Sequence, residues 1–324
     1  MLVEKNQEKL LEVNGLKKYF ENGKTLGVKN YIKAVDDLSF FIYEGETLGV
    51  VGESGCGKST MGRAVLRLQN PTAGDTIFDG ENINHYNKKR LRELRKDVQM
   101  IFQDPYGSLN QRMTVGSMLS EIIKTHHIVP RKEITSYIHG LLQDVGLKPE
   151  HYWKYPHEFS GGQRQRISIA RALAVKPRLI VCDEAVSALD VSVQAQVLNL
   201  LQKLKKEYNL TYLFISHDLS VVKHISDRVA VMYLGQIVEL ADKHSMYQEP
   251  LHPYTQALLS AIPTVGNEKK RDRVILKGDV PSPLNIPTGC RFHTRCPIAQ
   301  EHCKTQTPEW REVRDGHYVA CHEV

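Results

Sequence analysis

The chain has 324 residues, of which 25% are charged and 41% hydrophobic, an ordinary balance for a globular protein of one large domain with an appendage or of two modest domains. No run of 18 apolar residues occurs and the first residues are mostly polar, so the sequence predicts neither a membrane span nor a signal peptide, and we expect a cytosolic protein. The net charge of +6 comes from basic residues scattered among acidic ones, which argues against nucleic acid as a partner.

The first 50 residues are predicted to be rich in β-strands. Polar residues and glycines separate short apolar runs at 10–13, 32–35, 38–42 and 47–51. Glu21-Asn22-Gly23-Lys24 is typical of a turn, and the segment up to Asn30 is predicted to be a loop.

An aromatic side chain in this region could stack on a nucleotide base, because a base needs a flat apolar surface. We choose Phe20 for that role, with Tyr19 and Tyr31 as alternatives. Each of the three could instead be an ordinary core ring.

The next segment fits the phosphate-loop pattern G-x-x-x-x-G-K-[ST]. A strand is predicted before it, at 47–51, and a helix after it, at 61–68, which is the setting that such a loop needs. Its glycines let backbone N–H groups turn towards phosphate oxygens, and the helix N-terminus adds positive potential. We expect Lys58 to reach the β- and γ-phosphates of a nucleotide and Ser59 to bind Mg²⁺. The predicted nucleotide-binding residues of this loop are Gly52, Glu53, Ser54, Gly55, Cys56, Gly57, Lys58, Ser59 and Thr60.

Alternating strand and helix patterns follow, interrupted by one helical block. We predict a strand at 76–78 with a turn at Asp79-Gly80, a helix at 87–95, a strand at 98–102 ending at Gln103, and a loop at 104–110. Apolar residues at helical spacing between 114 and 146 predict an inserted helical subdomain.

A second anion site is predicted at the start of the next helix. Ser160 is placed to cap this helix, and Gly161 and Gly162 permit close approach to its N-terminus beside Gln163. The chain thus offers two phosphate-binding surfaces, which could meet one nucleotide through a second molecule or through a bend of the fold.

Two further predicted strands end in polar residues. Strand 179–183 leads into Asp183-Glu184, and a strand from 213 leads into His217. Beside a phosphate loop, we expect Asp183 to hold Mg²⁺ and Glu184 to polarise the attacking water. The runs 229–233 and 236–240 predict a hairpin.

In their order and spacing, these motifs resemble those of the ATP-binding subunits of ABC transporters, over about residues 10–245. The resemblance implies an α/β fold: a P-loop NTPase core of the RecA type with an antiparallel β subdomain and a helical subdomain at about 104–176. It also implies two cassettes packed head to tail, so that the signature Ser160-Gly161-Gly162-Gln163 of one meets ATP on the other. By the same resemblance Glu184 is the catalytic base, His217 contacts the γ-phosphate, Gln103 links Mg²⁺ and water to the membrane subunits, and Asp190 communicates across the dimer.

The tail narrows the resemblance to the ATPases of oligopeptide and dipeptide importers. Leu251-His252-Pro253-Tyr254-Thr255 and a cysteine-rich end are similar to that group, which divides the chain into a nucleotide-binding domain at 8–245 and an extension at 246–324. The implied partners are a sister ATPase forming a heterodimer, two transmembrane permeases and an external peptide-binding protein, with the ATPase on the cytoplasmic face of the membrane. Two departures are Phe159, where leucine is commoner, and Ala185, where the family usually has proline.

Four of the six cysteines fall in the last 35 residues, in a proline-rich segment with little apolar content. Such a segment needs a staple, and a metal centre suits a reducing compartment. Zinc modules usually carry close C-x₂₋₄-C pairs, which are absent, so four thiolates favour a [4Fe–4S] cluster, with zinc and free or oxidised thiols as alternatives. The predicted ligands are Cys290, Cys296, Cys303 and Cys321, and a nearby histidine (His293, His302, His317 or His322) could replace one.

The sequence therefore predicts an ATPase that energises a peptide importer. Close relatives that move nickel or glutathione share much of the tail. A soluble ABC ATPase acting on ribosomes or DNA is the rival class, disfavoured by the single cassette and by the short gap between Lys58 and Ser160. An iron–sulfur redox protein with a vestigial ATPase is disfavoured by the intact Glu184 and His217.

Overall fold

The computed structural model describes residues 8–25, 28–262 and 274–324. Its strands, in chain order, are β1 (Lys9–Thr25), β2 (Val28–Tyr43), β3 (Thr47–Val51), β4 (Ala73–Phe78), β5 (Glu81–Asn82), β6 (Val98–Ile101), β7 (Leu179–Asp183), β8 (Thr211–Ile215), β9 (Arg228–Tyr233), β10 (Gln236–Asp242), β11 (Arg311–Arg314) and β12 (His317–Val319).

The α-helices are α1 (Lys58–Val65), α2 (Lys88–Asp97), α3 (Pro105–Ser108), α4 (Val115–His126), α5 (Ile134–Asp144), α6 (Gly161–Leu173), α7 (Val191–Tyr208), α8 (Leu219–Ile225), α9 (Lys243–Gln248) and α10 (Pro253–Ser260). Short 3₁₀ helices are Ile83–His85, Arg131–Glu133, Pro149–Trp153, Pro156–Glu158 and Glu301–Lys304. Within the described part of the chain, no helix has the length and apolar character needed to cross a membrane.

The chain forms two compact units. One, here the helical unit, comprises Tyr43–Glu46 and His85–Ile215. The other, here the P-loop unit, comprises Lys9–Ile42, Thr47–Asn84 and Ser216–Val324. The cysteine-rich tail therefore clusters with the phosphate-loop segment.

The helical unit holds parallel strands in the order β8-β7-β6. Val98 pairs with Leu179 and Leu179 with Thr211, so the strands end at the same edge. Every residue of β7 and β8 is buried, as expected for parallel strands covered on both faces. The edge where these strands end carries Asp183.

The helical insertion was predicted correctly at 114–146, where α4 and α5 lie. Thr114 caps α4 by accepting a hydrogen bond from the N–H of Ser117. Leu119, Ile138 and Leu142 are fully buried, each contributing about 1.5–3 kcal/mol through removal of apolar surface from water. The prediction of a loop at 104–110 was wrong, because Asp104 caps a single helical turn, α3, with Pro105 at its start.

The P-loop unit contains an antiparallel sheet in the order β2-β1-β4-β5, which confirms the predicted antiparallel β subdomain. Asp79 and Gly80 join β4 to β5, and both have positive φ (52° and 77°), as a two-residue hairpin turn requires.

The predicted turn at Glu21–Lys24 was wrong, because β1 runs on to Thr25 and β2 starts at Val28. The glycine that suggested the turn, Gly23, is a residue of β1 and has a positive φ of 74° there. Positions 26 and 27, the remainder of the predicted loop before β2, lie outside the described residues.

A second group of strands in the P-loop unit runs β11-β12-β10-β9-β3. β3 pairs in parallel with β9, and the predicted hairpin of β9 and β10 is confirmed, with positive φ at Leu234 and Gly235. β12 adds to β10 with Glu239 opposite Val319, a pairing that the sequence did not predict. This pairing holds the end of the tail, and with it Cys321, against the sheet.

Candidate nucleotide site and cysteine cluster

The phosphate loop leaves β3 at Val51 and enters α1 at Lys58, in the predicted strand–loop–helix setting. Gly57 occupies the N-cap position with φ 104°, and a Cβ there would lie 1.9 Å from the carbonyl oxygen of Ala34. A Cβ on Gly52 would lie 2.1 Å from the carbonyl oxygen of Met232. These contacts mean that close backbone approach requires glycine at both positions.

Lys58 is held inside the loop that it follows. Its side chain is buried, and its Nζ donates to the carbonyl oxygens of Gly52 at 2.8 Å and of Glu53 at 2.9 Å. The loop is thereby curled around the ammonium group. Cys56 is also buried, and burial raises the pKa of its thiol, as expected for a small packing residue rather than a nucleophile.

The aromatic candidates for base stacking differ in their surroundings. The ring of Phe20 is half-buried, with Lys18 Nζ 4.9 Å from its centroid. The hydroxyl of Tyr19 donates a hydrogen bond to Asp36, and burial together with that carboxylate raises the pKa of Tyr19. Tyr31 is 41% exposed. The choice of Phe20 stays a prediction.

His217 is exposed in the P-loop unit, two residues before the start of α8. Asp218 caps that helix by accepting hydrogen bonds from the N–H groups of Ser220 and Val221. The position of His217 is thus fixed by a capped helix start.

In the helical unit, two predicted catalytic residues touch each other. Gln103 Nε2 donates to Glu184 Oε2 at 2.8 Å, joining the residue after β6 to the residue after β7. Asp183, the last residue of β7, is 1% exposed. Successive residues thus place one carboxylate inside the unit and the other at its surface, which suits two different roles.

The backbone of Glu184 turns sharply at that point. Its φ is 47°, a left-handed value that is uncommon for residues other than glycine, and its N–H donates to the carbonyl oxygen of Ile215 at 3.0 Å. The following Ala185, where the resembling family has proline, is buried. The turn is therefore fixed by the neighbouring strand rather than by a proline ring.

The signature segment forms a capped helix start, as predicted. Ser160 Oγ accepts from the N–H of Gln163, and the Gln163 side chain accepts from the N–H of Ser160, a reciprocal capping box. A Cβ on Gly161 would meet nothing closer than Leu189 Cδ2 at 3.6 Å, whereas one on Gly162 would lie 2.4 Å from Val193 Cγ1. Only Gly162 is needed for packing within the unit.

Asp190 stands at the N-cap position of α7 but makes no capping hydrogen bond with its side chain.

Phe159, the other departure from the family pattern, is buried with its ring edge-on to His151 at 5.1 Å. The larger side chain thus has a packed position ahead of Ser160.

The four tail cysteines line one cavity in the P-loop unit. Cys290 and Cys296 lie on one loop, Cys303 lies in the 3₁₀ helix Glu301–Lys304, and Cys321 follows β12. Cys290 N–H donates to the carbonyl oxygen of Cys303 at 2.8 Å, which ties the loop to the 3₁₀ helix. The structure therefore brings together residues that are up to 31 positions apart in sequence.

Backbone N–H groups donate to three of the four sulfurs. The donors belong to Phe292 for Cys290, Ile298 for Cys296 and Glu323 for Cys321, in each case two residues after the cysteine. Burial and the charges of the other cysteines raise the pKa of Cys290 to about 11. A raised pKa disfavours the thiolate form, and a bound cation would lower the pKa again.

Possible metal ligands of the tail can be grouped by the distances between their ligand atoms. Among the described residues, the group of three or more potential ligands lying within 4.8 Å of one another is His302, Cys303 and Glu323, and no three of the cysteines meet that distance. Tetrahedral zinc with Zn–S bonds of about 2.3 Å places its sulfurs about 3.8 Å apart. The side-chain positions of the four cysteines are therefore not a preformed tetrahedral zinc set.

The four tail histidines have other contacts. His293 Nδ1 lies 2.8 Å from the carbonyl oxygen of Cys290, and His322 Nε2 lies 3.0 Å from that of Gln306. His317 is buried with its Nε2 2.8 Å from Glu239 Oε1. His302 belongs to a group of possible metal ligands with Cys303 and Glu323, and its Nε2 lies 3.2 Å from Glu323 Oε1.

Two residues in contact with the phosphate loop were missed by the sequence analysis. The N–H of Glu53 donates to the hydroxyl of Tyr254 at 3.0 Å, and Arg295 binds the Glu53 carboxylate with two hydrogen bonds of 2.8 and 3.0 Å. The tail motif around Tyr254 was noted only as a family feature. Separations of 201 and 242 residues leave no periodic or local signal by which either contact could be found.

Comparison with known proteins shows two family regions and close relatives. Residues 35–187 match the ABC transporter family, and residues 238–303 match the oligopeptide/dipeptide transporter C-terminal region. The chain is 55% identical to the oligopeptide transport ATP-binding protein AppF of Bacillus subtilis over 98% of both chains. It is 50% identical to the oligopeptide transport ATP-binding protein OppF of Haemophilus influenzae over the full length of both.

Solved structures of ATP-binding cassettes share the fold. The dimeric post-hydrolysis state of the cassette MJ0796, bound to ADP and Pi, superposes with a TM-score of 0.64 at 27% identity over 72% of this chain and 98% of that one. CbiO1 of Clostridium perfringens, part of the ABC transporter complex cbiONQ, gives a TM-score of 0.64 at 26% identity over 75% and 92%. The predicted fold class is confirmed, and the chain belongs to the ABC transporter ATP-binding proteins that carry the oligopeptide/dipeptide transporter C-terminal region.

Proposed function

We propose that this chain is the ATP-hydrolysing subunit that energises an importer of oligopeptides or dipeptides. The observation that carries the proposal is the full-length similarity, at 50–55% identity, to oligopeptide transport ATP-binding proteins, which includes the C-terminal region. The chain acts at the cytoplasmic face of the membrane, with two permease subunits, a sister ATPase in a heterodimer and an external peptide-binding protein as its partners. Peptide specificity lies with the other subunits.

Each nucleotide motif has a role in this proposal. The loop Gly52–Thr60 binds the phosphates of ATP, with Lys58 on the β- and γ-phosphates, and Phe20 stacks on the base. Ser59, Gln103 and Asp183 are the Mg²⁺ residues, and the bound ion would neutralise developing negative charge. The signature Ser160–Gln163 contacts the ATP that is bound to the partner cassette, and Asp190 communicates with that cassette across the dimer interface.

Glu184 is the proposed base. Its Oε2 accepts a hydrogen bond from Gln103, which orients the carboxylate, and the proposed role of the carboxylate is to polarise the attacking water. Water oxygen bonds to the γ-phosphorus as the bond to the β–γ bridging oxygen breaks, and His217 contacts the transferring phosphate. The products are ADP and phosphate, and their release reopens the cassette dimer.

Uptake of labelled peptides tests the cargo. Cells lacking this subunit should lose uptake of oligopeptides and regain it with the wild-type chain. Loss of nickel or glutathione uptake with normal peptide uptake would assign the machinery to those cargoes. Affinity purification from solubilised membranes should recover permease subunits, and recovery of ribosomes or DNA in their place would contradict the proposal.

We further propose that Cys290, Cys296, Cys303 and Cys321 hold a [4Fe–4S] cluster. The support is the cavity that all four cysteines line and the N–H donors to three of the sulfurs; among the described residues, no three of the four sulfurs lie within 4.8 Å of one another. A bound cluster would staple a segment that lacks an extended apolar core of its own.

Anaerobic purification with iron, zinc and sulfide analysis tests the cluster. About four irons and four sulfides per chain are expected, lost in Cys296→Ser and retained in Cys182→Ala, whose cysteine lies in β7. One zinc without sulfide would replace the cluster with a zinc site, for which His302, Cys303 and Glu323 are the nearest set.

A further inference from the structure

The loop between the first two tail cysteines, residues 290–296, contacts the phosphate loop within the P-loop unit. Arg295, directly before Cys296, donates from Nη1 to Glu53 Oε2 at 2.8 Å and from Nη2 to Glu53 Oε1 at 3.0 Å. The Arg295 side chain is 8% exposed and that of Glu53 is 25% exposed. A two-pronged, charge-assisted pair shielded from solvent fixes direction as well as distance.

Glu53 is held at each of its polar groups. Its carboxylate binds Arg295, its N–H donates to the Tyr254 hydroxyl at 3.0 Å, and its carbonyl oxygen accepts from Lys58 Nζ at 2.9 Å. Lys58 is the residue expected to reach the phosphates. The position of its ammonium group is therefore tied, through one residue, to two side chains of the C-terminal region.

Packing reinforces this connection. Phe292 is buried and its ring contacts those of Tyr254 and Tyr233, with centroids 5.3 and 5.4 Å apart. The loop is therefore anchored by the packing of Phe292 and by the hydrogen bond from the Cys290 N–H to the carbonyl oxygen of Cys303. Arg295 is carried by this anchored loop.

A second arginine of the same loop extends the contact to the proposed base-binding side. Arg291 donates to Asp36 and to the carbonyl oxygen of Leu234, and Asp36 also accepts from the hydroxyl of Tyr19. The side chains of Arg291 and Asp36 are about one-tenth exposed. Tyr19 precedes Phe20, so residues 290–296 contact the chain near both ends of the proposed nucleotide.

We infer that Arg295 is a positioning residue for ATP binding, which sets the conformation of the phosphate loop through Glu53. The C-terminal region is then a part of the nucleotide site and not only an appendage. The inference rests on the proposed assignment of residues 52–60 as the ATP site. Removing either partner of the pair leaves the other charge shielded and without its ion pair, which displaces the start of the loop.

The test is the affinity of the full-length chain for Mg²⁺ and a fluorescent ATP analogue, titrated at a temperature well below unfolding. Arg295→Gln is expected to weaken binding roughly tenfold, and Glu53→Gln by a similar factor. The double variant should bind no worse than either single variant, because both changes break the same contact. Arg295→Lys keeps the charge but loses the two-pronged geometry, so it should recover only part of the affinity.

Control variants distinguish failure of the positioning role of Arg295 from failure of the assignment of residues 52–60 as the ATP site. Arg314→Gln removes an exposed arginine of the same region, paired with Glu249, and should leave affinity unchanged. Lys58→Ala should abolish binding; if it binds like the wild type, the phosphate-loop assignment itself fails. If Lys58→Ala loses binding while Arg295→Gln keeps wild-type affinity, only the positioning role is overturned.

A purely structural role for the pair predicts another pattern. Thermal unfolding would shift while affinity at low temperature stayed constant, and this result would also overturn the inference. Additive losses in the double variant would mean that the two residues act independently, with the same consequence. If Arg295→Gln does not fold, Glu53→Gln carries the test, since it leaves the C-terminal region intact.

Discussion

Replacing Glu184 with glutamine tests the proposed chemistry with little change of shape. The substitution removes the negative charge but keeps a side-chain oxygen that can accept the hydrogen bond from Gln103 Nε2, which lies 2.8 Å from Glu184 Oε2 in the wild-type chain. The left-handed backbone at φ 47° is equally available to glutamine, and the N–H bond to Ile215 is unaffected. We therefore expect the variant to fold with a stability within about 1 kcal/mol of the wild type.

The expected loss is in turnover. A positioned general base contributes roughly 10²–10⁴-fold, and an amide cannot accept the water proton, so steady-state ATP hydrolysis should fall by that factor. At 1.36 kcal/mol per tenfold, the barrier rises by about 2.7–5.4 kcal/mol. ATP affinity should stay within about twofold, because the missing charge acts on water and not on the phosphates.

Hydrolysis is measured as phosphate release by the complex assembled with its permease subunits, and affinity by nucleotide titration of the purified chain. Glu207→Gln is the matched control, since it removes the same charge from an exposed pair with Lys203 in α7. Turnover of Glu184→Gln within threefold of the wild type, with the control also active, would refute the assignment of Glu184 as base.

Two further predictions concern the signature helix and the start of α10. Gly161→Ala should fold normally but lose ATPase activity in the assembled complex, whereas Gly162→Ala should lose about 1–3 kcal/mol of folding stability because its new Cβ would clash with Val193. Thermal unfolding measures the loss of stability and phosphate release measures the loss of activity. Full activity of Gly161→Ala would contradict the role of the signature. Burial lowers the pKa of His252 to about 4, below its unfolded value of about 6.5. Between these two values the unfolded chain binds a proton that the folded chain does not. Folding stability should therefore fall by about 2 kcal/mol as the pH is lowered from 7 to 5. His252→Asn keeps an acceptor for the N–H of Tyr254 and should remove that part of the pH dependence in urea unfolding; an unchanged slope would refute the cause.

Local signals predicted much of the architecture correctly. The turn at Asp79-Gly80 and the cap at Ser160 were predicted from the local preferences of these residue types, and the structure adds the positive φ values of the turn and the reciprocal hydrogen bond of Gln163. The error at Glu21–Lys24 has a physical source. Gly23 takes a positive φ inside a long strand, and pairing with neighbouring strands overrides the local preference for a turn.

The sequence by itself determined the nucleotide motifs, the family and the set of four tail cysteines, because each depends on residue types at short, fixed spacings. Tertiary structure alone decided which of these residues touch. Gln103 meets Glu184 across 81 residues, and Arg295 meets Glu53 across 242. Such contacts are made by side chains that the fold brings together from separate strands and loops, and no periodicity in the chain records them. That is why the sequence described the tail as an extension, whereas the structure joins it to the phosphate loop.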